Sequence, residues 1–181
     1  VNFRYQEALR MADDHVVYRN GAKEIAFLHG KALTFMPKFD EREGNSCHIH
    51  LSLWEGTESL FPSADGHGTS ETFRQFIAGL VRHTRELTLL LAPNVNSYKR
   101  FVRGSFAPTA LVWGHDNRTC ALRVAGHGKA MRVESRVAGG DAGGQLGHRH
   151  RRRDGHDAAI HDLADAVDLE RIDAVLTHQV M

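Results

Sequence analysis

The segment Cys47-His48-Ile49-His50-Leu51-Ser52-Leu53 constrains the fold more than any other stretch, because a β-strand points alternate side chains to opposite faces. His48, His50 and Ser52 fall on one face. Cys47, Ile49, Leu51 and Leu53 fall on the other, where they can bury against a core while the imidazoles and the hydroxyl look into a cavity or solvent. Neutral imidazole is a common ligand for divalent metals, and a hydroxyl can donate to a phosphate oxygen. The bland reading of the same alternation is a half-buried strand with its polar residues outward.

The rest of the chain supplies helices and further strands. Asn2 to Tyr18 reads as an amphipathic helix, with Tyr5, Leu9, Ala12 and Val16 on one face. Asn20-Gly21 reads as a turn, Ala22 to His29 as a second short helix closed by Gly30, and Ala32 to Met36 as a strand ahead of Pro37. Ser70 suits an N-cap, with Glu71 in the first turn. Phe73, Phe76, Ile77, Leu80, Leu87, Leu90 and Leu91 then form a helical apolar stripe that ends before Pro93. Strand-like runs near Ala32, His48, Ala110, Ala121 and Arg132 therefore alternate with helices at Asn2, Ala22 and Ser70, which predicts an α+β fold.

With 181 residues and a hydrophobic fraction of 41%, the chain is long enough for one domain with a real core. No apolar run is long enough to cross a bilayer and no signal peptide opens the sequence, so a cytoplasmic location is expected. Cys47 and Cys120 sit in apolar surroundings and are expected as reduced, buried thiols. The formal charge of +1 gives no general argument for a membrane or nucleic acid as partner.

Several segments, taken in order, carry a specific resemblance. They are Phe35-Met36-Pro37-Lys38, the His48-Ile49-His50-Leu51-Ser52 strand, Asn96-Ser97-Tyr98-Lys99-Arg100, Asn117-Arg118-Thr119 and Arg132-Val133-Glu134-Ser135-Arg136. The series resembles the glutamine synthetase catalytic domain over Asn2 to Arg136. That resemblance implies an α+β fold in which an antiparallel sheet carries the site and helices pack on its outer face, here incomplete. It also implies a carbon–nitrogen ligase of glutamine biosynthesis and nitrogen metabolism. In that reaction the γ-carboxylate of glutamate takes the terminal phosphoryl group of ATP, and ammonia then displaces phosphate.

Crowded negative charge is the physical problem of such a reaction, and it calls for a divalent cation and for arginines. By resemblance, His48 and Glu134 are the metal ligands, for Mg²⁺ or Mn²⁺. The bland reading of Glu134 is a surface carboxylate paired with Arg132 or Arg136 on the same strand face. His50, Ser52, Arg118, Arg123 and Lys129 match positions that contact ATP. Gly44, Arg100, Arg118 and Arg136 match positions that hold glutamate, with Arg118 also in a catalytic role on the transferring phosphate. Guanidinium suits the task because it is always charged and forks onto two oxygens.

The pattern departs from the family in three places. Where many members have Asn-Gly, this chain has Glu43-Gly44. Where ammonia-using members carry Pro-Gly-x-Glu-Ala-Pro, it has Arg103-Gly104-Ser105-Phe106-Ala107-Pro108, so Phe106 stands in place of the base. A phenyl ring neither accepts a proton nor attracts ammonium, but it can pack along the methylenes of a larger amine. The alternative to a glutamine-forming enzyme is accordingly a ligase that makes γ-glutamylpolyamine or another γ-glutamyl-amine. The third departure follows Arg136, where the chain becomes a Gly/Arg/His-rich mixture.

Two regions follow from this: a partial catalytic domain over 1–136 and a divergent tail over 137–181, resembling translation in a shifted reading frame. The tail keeps a weak helical pattern through Ile160, Leu163, Val167, Ile172, Val175 and Leu176, which predicts a terminal helix within Ala158 to Val180. The family builds its sites between subunits of a large homo-oligomeric ring and takes further metal-binding glutamates from upstream of the position matching Val1. The isolated chain is therefore expected to be an inactive fragment. Two non-enzymatic readings stand beside the ligase. One is a binding module in which His148 to Arg153 contacts nucleic acid or transition metals, diluted by Asp154, Asp157 and Asp162; the other is an inert gene remnant.

Overall fold

The computed structural model describes residues 1–142 and, as backbone alone, residues 173–180. Its centre is a seven-stranded sheet. The strands are β1 (Gln6–Glu7), β2 (Cys47–Glu55), β3 (Glu58–Ser59), β4 (Ala110–His115), β5 (Cys120–Ala125), β6 (Arg132–Ser135) and β7 (Asp173–Val180). They lie in the order β1-β7-β2-β6-β5-β4, with β3 folded back on β2. Two long helices accompany them, α1 (Ala8–Leu28) and α2 (Glu71–Leu91), with a single turn, α3 (Val95–Tyr98).

The α+β class is as expected, but the sheet is mixed rather than purely antiparallel, because β4 and β5 pair in parallel. The segment joining them starts at Asp116, in the left-handed region at φ 50. Alternation in sequence reports which side chains share a face and carries no information on strand direction.

Alternation does predict the faces. Leu53, Leu122, Val124 and Val133 stand on one side of the sheet and form a core with Phe73 and Ile77 of α2. That side is closed by α2, whose start is fixed where Ser70 Oγ accepts from the Phe73 amide at 3.0 Å. The other side is left for the polar residues of β2, β5 and β6. Both cysteines are buried and unpaired, as expected, and burial, opposed by Arg19 and Arg100, pushes the Cys47 thiol up to about 12.

At the N-terminal end the two predicted helices and the Asn20-Gly21 turn are one continuous helix, and 32–36 is not a strand. The helix starts later than expected, where Glu7 accepts from the amides of Leu9 and Arg10. It runs through Asn20-Gly21 because Met11 and His15 are buried below that point and Arg19 Nη1 donates to the carbonyls of Asp141 and Ala142. Tertiary anchoring outweighs the roughly 1 kcal/mol that a helical glycine costs.

Past Arg136 the chain runs on into the core. Val137, Ala138 and Ala142 are buried, the last two beside Cys47 and Ile49. Cys47 N donates to Ala138 O, Gly139 N to Leu91 O and Gly140 N to Asn45 O. Small residues lose almost no side-chain entropy on burial, so a Gly/Ala segment can be integral to a core. At the C-terminal end, 173–180 forms β7, paired residue for residue with Cys47 to Trp54. The terminal helix predicted within 158–180 therefore does not cover these residues, and its remainder lies outside the described ones. An eight-residue ladder on the edge of β2 satisfies that backbone better than a weak helical stripe does.

Candidate active site

Three neighbouring strands bring the polar face together. His50 lies opposite Glu134 between β2 and β6, and Arg123 lies opposite Glu134 between β5 and β6. Such pairs have Cβ atoms roughly 5 Å apart, within reach of charged side chains. Glu134 is only 1% exposed, and every side-chain oxygen has a partner. His48 Nδ1 lies 3.0 Å from Oε1, Arg136 Nη1 donates to Oε1 at 2.8 Å, and Arg123 Nη1 donates to Oε2 at 2.7 Å. Burial alone would raise the Glu134 pKa. The hydrogen bonds from His48 and Arg123 and the charge of Arg136 outweigh it and hold the carboxyl well below the usual carboxylate range. The surface-carboxylate reading is thereby set aside. Arg132 instead turns its Nε to His50 Nδ1 at 3.3 Å.

Arg123 is shared with a second acid that sequence reasoning missed. Its Nε and Nη2 donate to Asp116 Oδ1 at 3.0 and 2.5 Å, and Asp116 is itself exposed at the start of the β4–β5 link. The signal in sequence is the Asp116-Asn117 pair, since these two residues tolerate the left-handed conformation best after glycine. Arg118 is exposed beside them and lines an open cavity of about 540 Å³ with His115, Asp116, Asn117 and Arg123. His50 is half-buried, and burial above all lowers its pKa to about 4, so the ring is neutral near pH 7. Ser52, on the same strand face, accepts from Trp54 Nε1 at 2.9 Å.

Other predicted site residues stand elsewhere. Lys129 follows the β5 strand in a 3₁₀ turn and pairs with Glu58 at 2.8 Å, both side chains well exposed, and is not brought to Glu134. Gly44 and Arg100 meet at a second cavity, of about 710 Å³, whose lining also includes Glu43, Phe39 and Phe106. A Cβ on Gly44 would come 2.6 Å from Arg100 Cγ and 2.8 Å from Pro37 O, so only glycine fits. Arg100 is buried and donates Nη1 to Val137 O at 3.1 Å. Burial lowers its pKa to about 10, which leaves it charged at neutral pH. Arg136 connects the Glu134 cluster to a residue of this cavity, its Nη2 donating to Phe106 O at 3.3 Å. Arg136 Nε is buried without a partner among the described residues, a donor that suits an incoming anion.

An imidazole and a carboxylate converging in this way offer one nitrogen and one oxygen donor, the chemistry of one side of a Mg²⁺ or Mn²⁺ shell. Among the described residues no group of three or more His, Cys, Asp or Glu is placed to hold a metal, so the pair fits part of such a site.

The description "glutamine synthetase, catalytic domain" matches residues 1–147. The chain belongs to the glutamine synthetase family. The match runs beyond Arg136, in agreement with the buried 137–142 segment. Among the family's members, the gamma-glutamylethanolamide synthetase GlnA4 of Streptomyces coelicolor is 58% identical over 141 residues, 78% of this chain and 30% of that protein. A glutamine synthetase of Thermococcus kodakarensis is 44% identical over 138 residues, 75% of this chain and 31% of that protein. A glutamate–isopropylamine ligase of a Pseudomonas species is 42% identical over 146 residues, 78% and 32%. The chain thus spans about a third of the length of the curated relatives it matches. Among the described residues, no helix is long and apolar enough to cross a membrane.

Proposed function

We propose that this domain serves an ATP-dependent ligase that joins glutamate to an organic amine through γ-glutamyl phosphate. The observation that carries the reading is the 710 Å³ cavity, which unites Gly44 and Arg100 with the ring of Phe106, 71% exposed, and other apolar side chains. An apolar wall where a catalytic base would serve ammonia favours an acceptor with carbon to bury. Two of the similar proteins are named for organic amines, ethanolamine and isopropylamine.

In this reading Arg100 and the Gly44 backbone bind glutamate, and Arg136 and Arg123 balance the charge of the transferring phosphoryl group, with Arg118 beside them. His50 and Ser52 face the nucleotide. With Nδ1 of His48 bonded to Glu134, the other ring nitrogen is the one that His48 would offer, and His48 with Glu134 would hold Mg²⁺ or Mn²⁺. When bound, that cation supplies further charge balance for the phosphate oxygens. The glutamate γ-carboxylate oxygen attacks the terminal phosphorus and ADP leaves. The neutral amine then attacks the γ-carbon, the new C–N bond forms, the carbon–oxygen bond to phosphate breaks, and the surplus proton of the amine nitrogen passes to the departing phosphate.

The test is a chimera in which residues 1–142 replace the corresponding segment of the Streptomyces enzyme, assayed for glutamate- and ATP-dependent phosphate release. Ethanolamine, isopropylamine, putrescine and spermine are compared with ammonium. Release with an organic amine above that with ammonium is expected; preference for ammonium would favour the second reading, a glutamine-forming enzyme, for which the glutamine synthetase relatives speak. The 181-residue chain alone is expected to release no phosphate.

A further inference from the structure

The reaction outlined above gives no task to Asp116, although that residue grips the guanidinium of Arg123. Asp116 Oδ1 accepts from Nε and Nη2, whereas the buried Glu134 takes Nη1. A bond at one nitrogen leaves a guanidinium free to swing at the end of a long side chain; bonds along a second edge fix its plane. Of the five N–H groups that an arginine carries, the remaining ones stay open to a phosphate oxygen.

The carboxylate is itself held from a rigid support. Gly114 of β4 stands opposite Arg123, and two residues later Asp116 adopts φ 50 while its amide donates to Val124 O at 2.8 Å. The turn beyond it is closed by Asn117 Oδ1, which accepts from the amide and the hydroxyl of Thr119 at 2.9 and 2.7 Å. Stability does not account for the contact. The Asp116 side chain is 79% exposed, and ion pairs open to water in this way add little to it. The same exposure weakens the repulsion that Asp116 exerts on an incoming phosphate, while its hydrogen bonds to Arg123 act at contact distance.

We infer that Asp116 is a positioning residue, which orients Arg123 so that Nη1 stays on Glu134 while the open N–H groups meet the transferring phosphoryl group. The inference rests on the ligase reading, which gives Arg123 that task; Asp116 acts through Arg123 and does not touch the reacting atoms.

Glycine and asparagine both tolerate the left-handed backbone, so Asp116→Gly and Asp116→Asn are expected to keep the turn. In the Streptomyces chimera, Asp116→Gly is expected to lower kcat for phosphate release about tenfold with the KM for glutamate unchanged, and Asp116→Asn, which keeps an acceptor oxygen, to stay within about threefold of the parent. On an Arg123→Lys background the glycine substitution should cost less than about twofold, because the group it positions is gone. An Asp116→Gly chimera as fast as its parent, or faster because the carboxylate had merely competed with phosphate for Arg123, overturns the inference and leaves the ligase reading standing. So does an equal loss with and without Arg123. A parent chimera that releases no phosphate overturns the ligase reading and the inference with it.

Discussion

His48 Nδ1 and Glu134 Oε1 lie 3.0 Å apart on adjacent strands, both all but excluded from solvent. The contact fixes the proton of the ring on Nδ1 and, with Arg123 and Arg136, leaves neither carboxylate oxygen unpaired. A buried carboxylate persists only on such terms, because its desolvation must be offset by partners.

Removing that carboxylate strands two guanidinium groups in a buried site. Glu134→Ala is expected to lower unfolding free energy by about 3–5 kcal/mol in urea titration. Glu134→Gln, which keeps one acceptor oxygen, should fall between the two. A loss below about 1 kcal/mol for the alanine variant would show that the cluster does not hold the sheet.

Acid should unfold the protein from below about pH 6.5. His15 and His50 have pKa values lowered from 6.5 to about 4, chiefly by burial, with nearby Arg19 and Arg132 acting the same way. Between those values the unfolded chain binds protons that the folded one does not, so stability rises with pH and is lost as pH falls from 6.5 towards 4. Glu134, also depressed when folded, adds a loss at lower pH still, as the carboxyl protonates. His50→Gln should flatten the upper part of a plot of urea midpoint against pH.

Two glycines should respond oppositely to alanine. Nothing lies within 4 Å of a Cβ on Gly21, in the middle of α1, so Gly21→Ala should stabilise by roughly 0.5–1 kcal/mol. Gly44→Ala would drive a methyl into Arg100 and Pro37, costing about 1–3 kcal/mol, and should abolish glutamate binding. Thermal melts read the stabilities, and ligand-observed NMR titration with glutamate reads the binding.

Phe106→Glu in the chimera should move amine preference towards ammonium, seen as a fall in the ethanolamine-to-ammonium ratio of kcat/KM. A ratio that stays put would remove Phe106 from the acceptor site.

Manganese should bind this chain weakly, with a Kd on the order of millimolar, because two donors fill a small part of its shell. Electron paramagnetic resonance of free Mn²⁺ measures it, and His48→Ala should abolish what binding there is.

Much of the candidate site's geometry was legible because a strand has a period of two. His48 and Glu134 could be assigned to polar faces of their strands, and α2 with its Ser70 cap could be bounded, from residues that are neighbours in sequence. The continuous helix through Asn20-Gly21 was not legible, since the Arg19 bonds that stabilise it reach carbonyls at 141 and 142. Nor was Asp116 as a partner of Arg123, or the burial of 137–142, where composition suggested a loose tail.

Sequence alone determined which side chains share a face and which motif series they belong to, for both are properties of local spacing and order. Tertiary structure decided the partners: that Arg123 serves Glu134 and Asp116 together, that Lys129 goes to Glu58, and that Glu43, Arg100 and Phe106 line one cavity. The physical reason is that charge pairing and close packing depend on separations of a few ångströms between segments far apart in the chain, and local periodicity does not encode those distances.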